Sequence, residues 1–114
     1  MVTYNSLKFD AELAELILAG KKTSTWRLFN DKDLKPGDIV DLIARPNLNI
    51  FAKAKLLSVE DKKLGQLNDS DWDGHERFNS EEEMYKTYKG YYNQPVNADT
   101  VVTIVKFVVL ETFV

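Results

Sequence analysis

The final part of the chain constrains the fold most, because residues Thr100–Phe113 are mostly β-branched or aromatic. Such side chains lose rotamer freedom in a helix and pack well on the surface of a sheet. The run therefore predicts a strand, either continuous or kinked into two. Four further strands are predicted from apolar or alternating runs, over Ser6–Lys8, Thr23–Phe29, Ile39–Ala44 and Ile50–Val59.

Two segments have the signals of helices. Apolar residues recur every three or four positions in Ala11–Ala19, and Asp10 precedes them as a helix N-cap. Gly20 ends this helix, since glycine adopts the left-handed conformation of a C′ residue without a steric penalty. A second helix begins at the capping box Ser80–Glu83 and runs to about Tyr91.

These elements do not alternate in a βαβ rhythm, which predicts an α+β fold: a small mixed β-barrel with two main helices packed at its ends. Leu34–Asp38 places Pro and Gly at the centre of a type II turn. Before the second helix we predict a short helix over Asp61–Leu67 and a solvated acidic loop over Asn68–Gly74. At 114 residues, the chain is expected to form one domain over residues 1–114.

The composition excludes several classes of site. The chain has no cysteine, so disulfides, thiolate zinc sites and a cysteine nucleophile are absent, and a reducing cytoplasm is the expected location. No apolar run reaches the roughly 18 residues of a membrane span, and the start lacks a signal-peptide pattern. The net charge of −3 disfavours a wide phosphate-binding face but permits a local basic pocket.

The segment Gly20–Arg27 concentrates the reactive side chains, with three cations and three hydroxyls in eight residues. From the residues alone it is a helix stop followed by a solvated strand, because Lys and Thr are common on strands. The spacing permits a second interpretation. Gly20, Lys22 and Arg27 form the pattern Gly-x-Lys with Arg after four intervening residues, which resembles the ASCH domain family.

The segment 34–40, in which a Pro-Gly-Asp turn opens a strand, resembles the next segment of that family. The resemblance covers about residues 16–110. It implies a β-barrel of the PUA-like kind and a link to RNA and modified nucleosides.

Within the family, the length and layout resemble the small bacterial acetylcytidine amidohydrolases. The resemblance implies that Lys22, Thr25 and Arg27 are site residues, together with Glu76 in the loop before the last helix. It also implies an amidohydrolase activity on acetylcytidine or a related acylated nucleoside. Three further carboxylates are alternatives to the loop glutamate: Asp73, Glu81 and Glu82.

In this interpretation Thr25 attacks the acetyl carbon and Lys22 is the base. A lysine titrates near 10.4 and needs a pKa of roughly 7–8 for that role. Glu76 carries a proton to the departing amine, and Arg27 stabilises the oxyanion or orients the base. Strict strand alternation would place Lys22 and Thr25 on opposite faces, unless the strand begins after Lys22. Two neighbouring hydroxyls compete with Thr25: Thr23 and Ser24.

The family resemblance leaves two other functions open. One is a non-catalytic RNA-binding or nucleotide-binding module, in which Lys21, Lys22 and Arg27 contact phosphate and Trp72 stacks on a base. Packing over the barrel mouth is the other interpretation of Trp72. The second function is a metal-independent ribonuclease. The expected partner is a modified nucleoside or RNA, and neither a cofactor nor a membrane is expected.

No metal site is expected either. The stretch Asp69–Gly74 begins like an EF-hand loop, but position twelve of that loop is Ser80 where calcium binding needs a glutamate. His75 is a single histidine without cysteine partners, and we interpret it as a polar loop residue at most near a pocket rim. The tyrosines of the second helix are interpreted first as packing residues, with Tyr91 or Tyr92 facing the pocket.

Overall fold

The structure is a computed structural model that describes residues 5–29, 33–75 and 77–113. Within these ranges the chain forms five strands and two α-helices. In chain order they are β1 (Ser6–Phe9), α1 (Ala11–Leu18), β2 (Ser24–Leu28), β3 (Ile39–Ala44), β4 (Asn49–Lys63), α2 (Glu81–Tyr92) and β5 (Val101–Thr112).

All five strands belong to one mixed sheet with the order β1-β3-β4-β5-β2. The β1–β3 pair is parallel, and the other three pairs are antiparallel. The pairing of β4 with β5 shifts register between Lys53 and Ala54 and again between Leu56 and Ser58. Such irregularities bend a strand and increase its twist. The sheet curls into a half-barrel with two helices, which confirms the predicted α+β architecture.

Each helix covers one of two hydrophobic clusters, which meet at β5. Val105 and Phe107 point into a cluster that includes Ala14 and Ile17 of α1. Val102 and Ile104, on the opposite face of β5, belong to a second cluster with residues of α2. The middle of the strand, from Val102 to Phe107, is therefore buried on both faces. Members of the second cluster include Trp26, Leu28, Leu64, Met84 and Tyr88.

The helix signals predicted from sequence are present. Gly20 has φ +76°, and the backbone N–H of Lys21 donates to the Leu16 carbonyl, so α1 stops where glycine predicts. Ser80 accepts a hydrogen bond at its Oγ from the Glu83 backbone N–H, 3.1 Å, which caps α2. Asp10 occupies the N-cap position of α1, but its side chain makes no capping hydrogen bond.

One predicted element is wrong. The proposed helix over Asp61–Leu67 is instead the end of β4 followed by a single 3₁₀ turn, Leu64–Gln66. Residues 58–63 pair with residues 101–106 of β5, ending at Lys63 opposite Val101. Tertiary pairing therefore overrides the local helix preference of this segment.

The acidic stretch after β4 is more ordered than a solvated loop. It forms a 3₁₀ turn over Asp69–Trp72, and the Asp71 side chain is buried. The Asp71 carboxylate accepts hydrogen bonds from the Lys62 ammonium, 2.9 and 3.0 Å, and from the Asn68 backbone N–H, 2.9 Å. Burial alone would raise the pKa of Asp71, but the Asn68 N–H and Lys62 hold this pKa below its usual value.

We expect Asp71→Asn to lower the free energy of unfolding by about 1–3 kcal/mol near neutral pH, because Lys62 loses its shorter ion pair and keeps only the one with Glu60, 4.0 Å. The folded-state pKa of Asp71 is depressed. Its contribution is therefore present above the unfolded pKa of about 3.9 and is lost as the pH falls through the lower folded value. Urea unfolding at about pH 7 and about pH 3 measures this. The exposed Asp69→Asn is the matched control; an equal loss in both variants would contradict the assignment.

Candidate active site

A cavity of about 250 Å³ lies where the two outer strands of the sheet, β1 and β2, approach each other. Its wall is contributed by the end of β1, the start of α1, the segment from Lys22 to Arg27, the loop residue His75 and one face of α2. We call this approach of β1 and β2 the seam of the half-barrel. Side chains from distant parts of the sequence meet there.

Lys22 reaches the cavity because the chain reverses at Gly20. Its backbone N–H donates to the Leu16 carbonyl, 3.2 Å, so the residue is tied to the end of α1. The side chain is 3% exposed and lines the cavity. Strand β2 begins at Ser24, so Lys22 lies before the strand and strand alternation does not apply to it.

Thr25 lies within β2, opposite Val105 of β5, and is 4% exposed. It lines the same cavity as Lys22. The two neighbouring hydroxyls have other environments: Ser24 is fully buried and its Oγ donates to the Asp73 carbonyl, 3.1 Å, whereas Thr23 is exposed. Of the three hydroxyls in this segment, Thr25 is the one on the cavity wall.

Arg27 joins the two strands that flank the seam. Its Nη2 donates to the Lys8 carbonyl of β1, 2.9 Å, and its guanidinium carbon lies 4.7 Å from the centre of the Phe9 ring. Its Nε is buried with no hydrogen-bond partner among the residues that the structure describes. Burial lowers the pKa of Arg27 from its usual value, although the group stays protonated at neutral pH.

His75 belongs to the cavity wall, whereas the sequence predicted a polar loop residue at most near a pocket rim. His75 is 8% exposed, lines the cavity and stacks on Trp26 with 4.0 Å between ring centres. Its Nε2 lies 3.4 Å from the Tyr88 hydroxyl, at the limit of a hydrogen bond. Hydrophobic periodicity cannot predict the position of a single histidine in a polar loop. The neighbouring Gly74 was a local sign of an unusual backbone conformation.

Gly74 explains how that loop is held against the site. Its carbonyl accepts hydrogen bonds from the backbone N–H groups of Thr23, 2.8 Å, and Ser24, 3.2 Å. The residue has φ +73°, and an added Cβ would collide with the Thr23 Oγ1. The loop and the start of β2 are therefore docked through backbone contacts that only glycine permits.

The other predicted site residues are distributed differently. Trp72 is half-buried, packs edge-on against Trp26 at 4.5 Å between ring centres and does not line the cavity. The Arg77 guanidinium lies over its ring, 5.5 Å from the ring centre. Lys21 is exposed and also outside the lining. Glu76 lies outside the described residues.

Three tyrosines of α2 complete the wall, namely Tyr88, Tyr91 and Tyr92. Tyr88 is buried, whereas Tyr91 is 58% exposed. The Tyr92 hydroxyl accepts a hydrogen bond from the Leu28 backbone N–H, 3.1 Å, which ties α2 to the end of β2. None of the three alternative carboxylates lines the cavity: Asp73, Glu81 and Glu82 are exposed.

Solved structures share this architecture. A protein from Enterococcus faecalis superposes with a TM-score of 0.80 at 17% identity, over 99% of this chain and 84% of that one. The ASCH domain from Lactobacillus crispatus gives a TM-score of 0.72 at 13% identity, over 94% and 79% of the two chains. The chain has the fold of an ASCH domain. An ASCH protein from Zymomonas mobilis agrees, with a TM-score of 0.60 and 21% identity over 90% and 65%.

Sequence comparison adds two curated relatives, both named N(4)-acetylcytidine amidohydrolase, from two strains of Vibrio vulnificus. Each is 39% identical to this ASCH-fold chain over 62 residues, which are 54% of this chain and 56% of the relative. The chain thus spans little more than half the length of the curated relatives it matches. No protein-family model matches the sequence.

Two negative findings apply to the described part of this ASCH-fold chain. No cluster of three or more histidine, aspartate or glutamate side chains there has the arrangement to hold a metal ion. No helix within those residues has both the length and the apolar character needed to cross a bilayer.

Proposed function

We propose that this protein is an amidohydrolase that removes the acetyl group from the exocyclic nitrogen of acetylcytidine or of a related acylated nucleoside. The single observation that carries the proposal is the shared cavity of Lys22 and Thr25. An amine and a hydroxyl, 3% and 4% exposed, line one small cavity at the seam of the half-barrel. The partial similarity to two curated enzymes of that name supports the choice of reaction.

The reaction begins at Thr25. A threonine hydroxyl is a weak nucleophile until a base accepts its proton, and the neutral amine of Lys22 is that base. The Thr25 oxygen forms a bond to the acetyl carbon as its proton passes to the Lys22 nitrogen. A tetrahedral oxyanion results, with the cytosine nitrogen still attached.

The second half of the cycle releases the two products. The bond between the acetyl carbon and the cytosine nitrogen breaks, and that nitrogen takes the proton that Lys22 had accepted, either directly or through Glu76, so that Lys22 is neutral again. The acetyl group is then an ester on Thr25. Water attacks the ester with Lys22 again accepting a proton, and acetate leaves as the Thr25 hydroxyl re-forms.

Arg27 contributes a fixed positive charge to this cavity. Its Nη2 is engaged by the Lys8 carbonyl, whereas its Nε has no partner in the described structure. A fixed charge in a water-poor site stabilises a developing oxyanion without reorganisation, which typically lowers the barrier by a few kcal/mol. We assign this role to Arg27, with positioning of β1 against β2 as its second function.

Incubation of the purified protein with N(4)-acetylcytidine tests the proposal. We expect cytidine and acetate to appear in equal amounts, resolved by chromatography, in the presence of a metal chelator. Thr25→Ser keeps a hydroxyl and is expected to retain part of the activity, whereas the isosteric Thr25→Val loses it. Absence of cytidine formation by the wild-type protein would contradict the proposal.

One observation favours a second candidate, a metal-independent ribonuclease. His75 lines the cavity together with the buried Lys22 and the partly buried Arg27, and a histidine is the usual acid or base near neutral pH. Cleavage of RNA by the wild-type protein in the presence of a metal chelator, together with no cleavage by His75→Gln, would support this candidate over deacetylation. Intact RNA after prolonged incubation would remove it.

A further inference from the structure

We propose that the cavity prefers a ligand that carries a phosphate, so that an acylated cytidine monophosphate is a better substrate than the uncharged nucleoside. The cytidine part of this statement rests on the proposed function. The phosphate part rests on the charge, the unpaired donors and the size of the cavity.

The charge of the lining is opposite to that of the chain. Among the described lining residues, Lys8, Arg27 and Arg45 are cationic, Asp10 is a carboxylate, and Lys22 is not counted because the proposed function uses its neutral amine. The whole chain carries a net charge of −3. A concave wall with an excess of one charge attracts ligands of the opposite charge, because the low-dielectric surroundings focus the field.

The three cations Lys8, Arg27 and Arg45 have few acidic partners among the described residues. Asp10 lies 3.9 Å from Arg45, and both side chains are about half exposed. Neither Arg27 nor Lys8 has a carboxylate partner in the described parts of the chain. An exposed ion pair of this length contributes little, so Arg45 exchanges Asp10 for a phosphate at small cost.

Two buried donors in the wall have no acceptor in the part of the chain that the structure describes. Trp26 Nε1 and Arg27 Nε are both removed from solvent and have no hydrogen-bond partner among the described residues. Buried donors are normally paired, and an unpaired one costs about 1–3 kcal/mol. Both residues line the cavity, so a ligand rich in acceptor atoms supplies the missing partners. Pyrimidine carbonyls and phosphate oxygens are acceptors of this kind.

The size of the cavity suits one nucleotide. A volume of about 250 Å³ is below the range of roughly 300–1,000 Å³ that is usual for drug-sized ligands. The half-exposed Arg45 and the exposed Lys8 place cations at the solvent side of this cavity. A phosphate bound there stays partly hydrated, while the base occupies the inner part between the aromatic side chains. A guanidinium can bind phosphate through two parallel hydrogen bonds.

Calorimetric titration of the Thr25→Val protein separates binding from turnover. The probes are cytidine, cytidine 5′-monophosphate, cytidine 3′-monophosphate and inorganic phosphate. We expect at least one monophosphate to bind about tenfold more tightly than cytidine, with an affinity that falls as salt is added. In the double variant Lys8→Gln/Arg45→Gln the preference is expected to fall below about threefold. The exposed helix residue Lys86→Gln is the control and keeps the preference.

Cytidine binding as tightly as both monophosphates would overturn the inference, and so would a preference that survives in the double variant. Inorganic phosphate binding as tightly as the monophosphates would also overturn it, since the base would then contribute nothing. A trinucleotide that binds more tightly than either mononucleotide would contradict the fit to a single nucleotide. A monophosphate preference without deacetylation would support this inference while ending the proposed function.

Discussion

Lys22→Met is expected to lower the deacetylation rate by about 10²–10⁴-fold, the range for loss of a positioned base. Methionine has a similar length and fits the buried site, so the change removes the amine with little loss of packing. Lys22 is 3% exposed, and its backbone N–H donates to the Leu16 carbonyl. The measurement is the initial rate of cytidine formation at saturating substrate, with thermal unfolding to verify the fold.

Lys22→Arg distinguishes a base from a mere positive charge. Arginine keeps the charge but cannot lose its proton in this pH range, so we expect the activity to stay as low as in Lys22→Met. Lys86 lies on the exposed surface of α2. Lys86→Met is the control for the loss of one lysine and is expected to retain full activity. Activity in Lys22→Arg close to that of the wild type would contradict the role of Lys22 as a base.

The second large effect is expected from Gly74→Ala, which should lower the free energy of unfolding by about 2–4 kcal/mol. The left-handed backbone at φ +73° costs a non-glycine residue about 1–2 kcal/mol. The new Cβ also meets the Thr23 Oγ1, and such overpacking adds about 1–3 kcal/mol. The loop that carries His75 must move away from β2, so we expect activity to fall as well. Urea unfolding and the deacetylation rate measure the two effects.

Substitutions at two other glycines separate the cost of the left-handed backbone from the cost of the steric clash. Gly20 has φ +76° but nothing within 4 Å of an added Cβ, so Gly20→Ala is expected to show the backbone cost alone. Gly90 lies in α2 with open space around it, and Gly90→Ala is expected to stabilise slightly, by about 0.5–1 kcal/mol. Thr23→Ala in the Gly74→Ala background should recover part of the loss. Equal losses at Gly74 and Gly20 would show that the contact with Thr23 is unimportant.

Short sequence patterns predicted the features of the fold that depend on neighbouring residues in the chain. The stop at Gly20 and the strand Ile39–Ala44 follow from glycine chemistry and β-branched runs, and the structure has both at those positions. The family resemblance directed attention to Lys22, Thr25 and Arg27, which line one cavity. Their catalytic roles remain proposals, as do those of Lys21, Trp72 and Glu76.

Features that depend on distant partners were not predictable. The end of β4 is a strand because β5 pairs with it, and Asp71 is buried because Lys62, on that same strand end, neutralises it. The bond from Arg27 to the Lys8 carbonyl joins strands at opposite ends of the sheet order. His75 enters the cavity through the docking of Gly74 on β2. None of these contacts leaves a periodic trace in the sequence.

The central claim is that Thr25 becomes acetylated during the reaction. Protein mixed with N(4)-acetylcytidine, quenched in acid within one turnover and digested, can be searched by mass spectrometry for an acetyl group in the peptide that contains residues 23–27. We predict an ester on Thr25 that hydroxylamine removes and that is absent from Thr25→Val. Full deacetylation by Thr25→Val, or an acetyl group found on another residue at the rate of turnover, would contradict the claim.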